Sequence, residues 1–228
     1  MTTPDWLERT SLLMGPDKME RFRRAHVLVV GTGGVGAYAA EMLVRAGIGR
    51  LTLLDADRVQ PSNINRQLCA LHSTVGEEKV RVLGLRFKDI NPELDLTVRA
   101  EFLEEHSASA LLDSAKFDFI VDAIDTIAPK CALIEEAMKR RIRIVSSMGA
   151  GAKTDITQIR FADLWETFHC GLSKAVRTRL KRDGMRRPLP VVFCAQQADP
   201  AALVQVEGER NKKTTTGTVS YMPAVFGC

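Results

Sequence analysis

Apolar residues along the chain keep two rhythms. His26–Val30, Leu51–Leu54, Phe117–Ala123, Ile142–Val145 and Pro188–Cys194 are short runs rich in apolar residues, Leu94–Val98 alternates, and Ile156–Phe161 reads as an added edge strand. Between them, Val35–Ala46, Val75–Ile90, Ser107–Ala115, Lys130–Lys139 and Leu172–Asp183 carry apolar residues at helical spacing, as in Val80, Leu83, Phe87 and Ile90. Gly47 and Gly49 stop the first of these helices and Asn91-Pro92 the second. Two shorter helices fit residues 5–24, split by Gly15-Pro16. Strands alternating with helices predict a doubly wound, Rossmann-like α/β fold, a mostly parallel sheet covered on both faces with added antiparallel strands in the C-terminal half. Residues 195–216 are polar and read as a mobile stretch, and an apolar ending runs from Val219 to Phe226.

With 228 residues, 45% of them hydrophobic, the chain can bury one substantial core, and it reads as a single domain: a nucleotide-binding core over 25–150 and a substrate- and RNA-facing extension over 151–228. No apolar run approaches the ~20 residues that cross a bilayer, and the N-terminus lacks a signal-like pattern, so no membrane association and a cytoplasmic location are expected. Cys69, Cys131, Cys170, Cys194 and Cys228 are scattered and form no C-x-x-C pair, which predicts reduced thiols and no zinc site.

The chemistry begins where the first strand ends. Gly31, Gly33 and Gly36 fit G-x-G-x-x-G, in which the glycines permit a tight turn, close approach of backbone to an anion, and close packing of helix on strand. Backbone N–H groups at the helix start then face phosphates. Asp55 ends the second apolar run nineteen positions past Gly36, where a ribose-binding carboxylate belongs. The loop that follows, Asp57 to Gln67, carries more polar equipment than a nicotinamide site needs. A triphosphate attacked at its α-phosphorus needs cations and a metal, and Arg66 and Lys79 supply the cations while Asp125 is placed to hold Mg²⁺. Asp57 serves the site or caps the loop by an Asx-turn.

These motifs resemble the ubiquitin-activating-enzyme-like adenylyltransferases: Gly31-Thr-Gly33-Gly34-Val-Gly36, Leu53-Leu-Asp55-Ala-Asp57, Ser62-Asn63-Ile-Asn65-Arg66-Gln67, Val75-Gly76 through Lys79, and Val121-Asp-Ala-Ile-Asp125. The resemblance implies ATP as cofactor, with Gly34 at the phosphates, Asp55 at the ribose, Ser62, Asn63, Asn65, Arg66 and Lys79 at the phosphates, Asp125 at the metal and Thr126 beside it. It also implies a homodimer in which Arg9 reaches the partner's ATP. Members that activate carrier proteins generally carry two C-x-x-C pairs, which are lacking here.

The owner of the activated carboxylate is decided by the second half. Between Cys170 and Pro188 stand seven basic residues and one acidic one. On a helix, Leu172, Val176 and Leu180 face inward while Lys174, Arg177 and Lys181 share another face, widened by Arg179 and Arg182. A basic surface with so few carboxylates suits a phosphate backbone, and Lys212 and Lys213 extend it. This half resembles the tRNA threonylcarbamoyladenosine dehydratases through Ser147-Met-Gly-Ala-Gly-Ala-Lys153, Ile159-Arg-Phe-Ala-Asp163, Leu172-Ser-Lys-Ala-Val-Arg177 and Thr216-Gly-Thr-Val-Ser-Tyr-Met-Pro223. The implied substrate is the modified adenosine beside the tRNA anticodon, whose threonyl carboxylate is adenylated and then closes on its own group. A docked sulfur-relay protein is a further partner the resemblance allows. Family members usually continue past Val-Phe-Gly, so a truncated C-terminus is expected. Activation of a carrier protein's C-terminal glycine stays open as the alternative, and a nucleotide-bound scaffold or NAD-dependent oxidoreductase as a third reading.

Overall fold

The computed structural model describes residues 4–205 and 214–228. Helices α1 (Glu8–Met14) and α2 (Pro16–Arg24) precede an alternation of strand and helix: β1 (His26–Val30), α3 (Gly36–Arg45), β2 (Arg50–Leu54), α4 (Lys79–Ile90), β3 (Asp95–Arg99), α5 (Ala108–Asp113), β4 (Phe119–Asp122), α6 (Ile127–Lys139) and β5 (Arg143–Ser147). The second half adds β6 (Ile159–Asp163), α7 (Gly171–Arg182), β7 (Pro190–Cys194), the pair β8 (Leu203–Gln205) and β9 (Thr214–Thr216), and α8 (Tyr221–Gly227). Seven strands form one sheet in the order β3-β2-β1-β4-β5-β7-β6, parallel except for β6 against β7. This is the doubly wound α/β architecture that the alternating pattern predicts.

All five residues of β1 are buried, as a central parallel strand requires. Its side chains alternate between two cores. Val29 joins Ala40, Leu53, Val80 and Phe87 beneath α3 and α4, and Leu28 joins Ile120, Leu133, Val176 and Phe193 beneath α6 and α7. The register sets Val30 level with Leu54 on one side and Asp122 on the other. The residues that follow those three strands therefore emerge together at the carboxyl edge of the sheet, where ligands of such folds bind.

Several elements differ from the sequence pattern. The helix expected from Val75 starts at Lys79, because the N–H groups of Gly76 and Lys79 donate to Val59 and Asp57, and Val59 donates to Glu77. Residues 75–78 thus run beside the polar loop, with Gly76 in the left-handed region at φ 90°. Only the second half of the expected strand Ile156–Phe161 is extended; Ile156–Gln158 is a 3-10 turn capped by Asp155, and the strand runs on to Asp163. Within the polar stretch after Cys194, β8 and β9 pair antiparallel. Lys212 and Lys213 lie outside the described residues. The apolar ending folds as α8, whose Met222 and Phe226 are buried with Cys194.

Candidate active site

Gly31 begins the turn after β1 at φ 85°, and a methyl group there would stand 2.7 Å from the Ala123 carbonyl oxygen. One at Gly36 would collide with the carbonyl of Gly31. Gly33 is different: its open side meets only Gln67 Nε2, 3.8 Å from where a Cβ would sit. The first and third glycines therefore satisfy packing, and the second leaves room beside the backbone. Gln67 Oε1, buried in this loop, has no hydrogen-bond partner among the described residues.

Asp55 holds the turn from the neighbouring strand. Its Oδ2 accepts the Thr32 N–H at 2.6 Å and the Thr32 hydroxyl at 2.9 Å, while Oδ1 accepts the Asp57 N–H at 2.8 Å. The Asx-turn thus belongs to Asp55. Asp57 instead receives Lys79 Nζ at 2.6 Å, a salt bridge between an ammonium that is 5% exposed and a carboxylate that is 67% exposed. Lys79 reaches it because α4 starts where it does.

The loop between them is built around its own backbone. Asn63 is buried, and its Oδ1 accepts the Gln60 N–H at 3.0 Å while its carbonyl accepts the N–H groups of Arg66 and Gln67. Arg66 Nη1 donates to the Ser62 carbonyl at 2.8 Å and to Asn65 Oδ1 at 2.7 Å, and makes no ion pair among the described residues. Asn65 Nδ2 in turn donates to the carbonyl of Thr218, 153 positions away. Asp125 and Thr126 lie past the end of β4, where the Thr126 hydroxyl stands 3.5 Å from Asp125 Oδ1.

Two groups that sequence reasoning missed fix this last loop. Asp122 and Lys130 form an ion pair at 2.9 Å with neither side chain exposed. Lys130 Nζ also donates to the carbonyls of Ile124 and Ser147, each at 2.9 Å, and Asp122 accepts the Ser146 hydroxyl at 2.6 Å and the Ile124 N–H at 3.1 Å. A charge ending an apolar strand, followed eight positions on by a lysine in a helix otherwise apolar on that face, was the available signal.

The segment 216–227 closes over the same edge. Pro223 stands 2.8 Å from where a Gly34 Cβ would be, the Ala152 N–H donates to the Gly217 carbonyl, and the Tyr221 hydroxyl donates to the Thr154 carbonyl. Cys170 caps α7, accepting the Ser173 N–H on its sulfur. Burial pushes that thiol up, but donors from Ser173 and Gly149, with Lys153 nearby, outweigh it and hold it below its usual value. All five cysteines are free.

The basic positions of α7 divide. Arg177 turns back to the carbonyls of Thr167 at 2.8 Å and Leu164 at 3.3 Å and to the Thr167 hydroxyl. Arg179 pairs with Asp183 at 2.5 Å and with Glu105, and Arg182 with Asp183 at 3.0 Å. Lys174 and Lys181 are exposed and make no ion pair among the described residues. Arg9 is exposed on α1, beside Leu12 and Leu13, which are 80% and 81% exposed.

A glycine turn after β1, a carboxylate at the end of β2 and the cations Arg66 and Lys79 stand at one sheet edge of a Rossmann-like fold. Residues 7–228 match the ThiF family, and the chain belongs to it. It is 42% identical over 185 residues to the tRNA threonylcarbamoyladenosine dehydratase of Bacillus subtilis, covering 81% of this chain and 72% of that one. The Haemophilus influenzae protein of the same name is 41% identical over 171 residues, covering 75% of this chain and 65% of the relative. Among solved structures, the E. coli tRNA N6-threonylcarbamoyladenosine dehydratase in complex with ATP superimposes with a TM-score of 0.88 at 35% identity, covering 100% of this chain and 92% of that one. No helix among the described residues is long and apolar enough to cross a membrane.

Proposed function

We propose that this chain catalyses ATP-dependent dehydration of threonylcarbamoyladenosine in tRNA, by adenylating the threonyl carboxylate. The observation that carries the reading is the meeting of the open glycine turn, Asp55 and the cations Arg66 and Lys79 at one sheet edge, in a chain about two-fifths identical to dehydratases of that name. The residues present fit ATP: space beside Gly33, the acceptor Gln67 Oε1 without a hydrogen-bond partner among the described residues, Asp55 for the ribose and two cations for the phosphates. When bound, ATP supplies AMP as the leaving group that a carboxylate oxygen lacks.

The chain's own groups do the rest. Thr32 holds the Asp55 carboxylate in place for a ribose before the nucleotide arrives. Arg66 is held by neutral acceptors, so its charge is available to a triphosphate without breaking an ion pair. Lys79, held by the exposed Asp57 carboxylate, is the second cation that would meet a phosphate oxygen. Both cations stabilise charge that moves to pyrophosphate as the carboxylate oxygen bonds to the α-phosphorus. Ring closure then uses a nucleophile from the same modification, so proximity replaces an enzyme nucleophile and AMP carries away the oxygen lost as water.

Among the described residues no three His, Cys, Asp or Glu side chains cluster to hold an ion. Asp125, past the end of β4 at the carboxyl edge of the sheet, is the protein carboxylate that would contact a Mg²⁺ held mainly by phosphates, as that ion commonly is. The exposed Leu12 and Leu13 on α1 suit a second copy of the chain, which would carry Arg9 to its partner's nucleotide and make a homodimer. The reaction belongs in the cytoplasm, with its tRNA. Mass spectrometry of nucleosides from tRNA incubated with the protein and ATP tests the reading: loss of one water from threonylcarbamoyladenosine is expected, and an unchanged nucleoside with no pyrophosphate released overturns it.

A further inference from the structure

Beyond the end of α7 lies a second basic cluster. Gly184, at φ 81°, ends the helix, and the exposed Arg186 and Arg187 follow before β7. They border a cavity of about 440 Å³ with Arg141 and Lys139 from the end of α6. Nearby charges are spoken for: Lys139 pairs with Glu136, and Asp183, on the same wall, is neutralised by Arg179 and Arg182. Arg141, Arg186 and Arg187 make no ion pair among the described residues. Arg141 also stands at φ 58°, a helix-ending position where glycine is the residue of lowest cost.

The cluster sits just before β5 and β7, which run parallel, and so on the sheet edge opposite Asp125 and the glycine turn. It is separated from that edge by the length of α7, about 18 Å for its twelve residues. Exposed Lys174 and Lys181 lie along the way. Three arginines around one concavity, without carboxylate partners among the described residues, present forked donors that match phosphate oxygens. An RNA stem whose loop reaches the nucleotide and which runs along α7 would bring its backbone over this cluster. We infer that Arg141, Arg186 and Arg187 form a phosphodiester-binding site for the tRNA stem, remote from the reacting base; this rests on tRNA being the substrate.

The test is filter binding of full-length tRNA to the whole chain without ATP, across a salt series, for the wild type and for Arg186→Glu/Arg187→Glu. A milder variant, Arg141→Gln/Arg186→Gln/Arg187→Gln, guards against misfolding, with ATP affinity by calorimetry and melting temperature as controls. Binding about tenfold weaker near physiological salt is expected, with the slope of log Kd against log salt shallower by about one for each phosphate that the variant no longer neutralises. A stem-loop too short to leave the active-site edge should bind wild type and variants alike. Unchanged tRNA binding and slope, including the case where only an acidic protein partner is lost, overturns the inference, and so does an equal loss on the short stem-loop. The dehydration assay on the wild type stands apart: tRNA bound through these arginines without product would remove the catalytic reading and leave the site.

Discussion

Lys130 and Asp122 join the first turn of α6 to the end of β4 through an ion pair from which water is excluded, and every donor of the ammonium is used. A buried pair contributes little net stability against an apolar substitute, yet removing one partner strands the other charge. Lys130→Met is expected to destabilise the protein by about 3–5 kcal/mol, and Asp122→Leu combined with it by clearly less. Chemical denaturation of the three proteins checks this.

Arg66 is partly exposed and makes no ion pair among the described residues, so its loss should leave the fold intact. Arg66→Ala is expected to lower kcat/KM for dehydration by about 10²–10³ with an unchanged melting temperature. Asn65 holds Arg66 with one end of its amide and the Thr218 carbonyl with the other. Asn65→Leu should therefore lower kcat in the same direction but less, and add almost nothing in an Arg66→Ala background. Additive losses in a double-mutant cycle would show that Asn65 acts on its own.

Pro223 leaves no space above Gly34. Gly34→Ala is expected to cost about 1–3 kcal/mol and to displace α8, because the added methyl group meets a proline ring that cannot rotate away. Hydrogen exchange over 221–227 should accelerate and ATP affinity should fall. Gly36→Ala meets backbone rather than side chain, and is expected to prevent folding.

Burial pushes the Cys131 thiol up to about 12. A thiol with a raised folded value binds its proton more tightly folded than unfolded, so its contribution is fully present below the usual thiol range near 9 and disappears as pH climbs from there towards 12. Cys131→Ala should flatten the alkaline limb of stability against pH, measured by denaturation between those limits. Cys170→Ala and Cys194→Ala are expected to keep dehydratase activity, because ring closure needs no enzyme nucleophile; a folded but inactive protein would refute that scheme.

What the sequence determined by itself is local or pattern-borne. Runs rich in apolar residues marked the central strands of the parallel sheet, and glycines at fixed spacing marked the turn that ends β1, because burial on both faces and close backbone approach each restrict residue type position by position. What the tertiary structure decided involves partners that chain position does not announce. The start of α4, and with it the reach of Lys79, depends on hydrogen bonds to Asp57 and Val59; α8 takes its place through Gly34 and the core beneath Cys194. The run between Cys170 and Pro188 showed seven positive charges in sequence, but only folding brought Glu105, Asp183 and the Leu164 and Thr167 carbonyls to Arg177 and Arg179 and left Arg141, Arg186 and Arg187 without an ion pair among the described residues. A charge is written in one residue, whereas its neutralisation requires a second group whose position the whole fold sets.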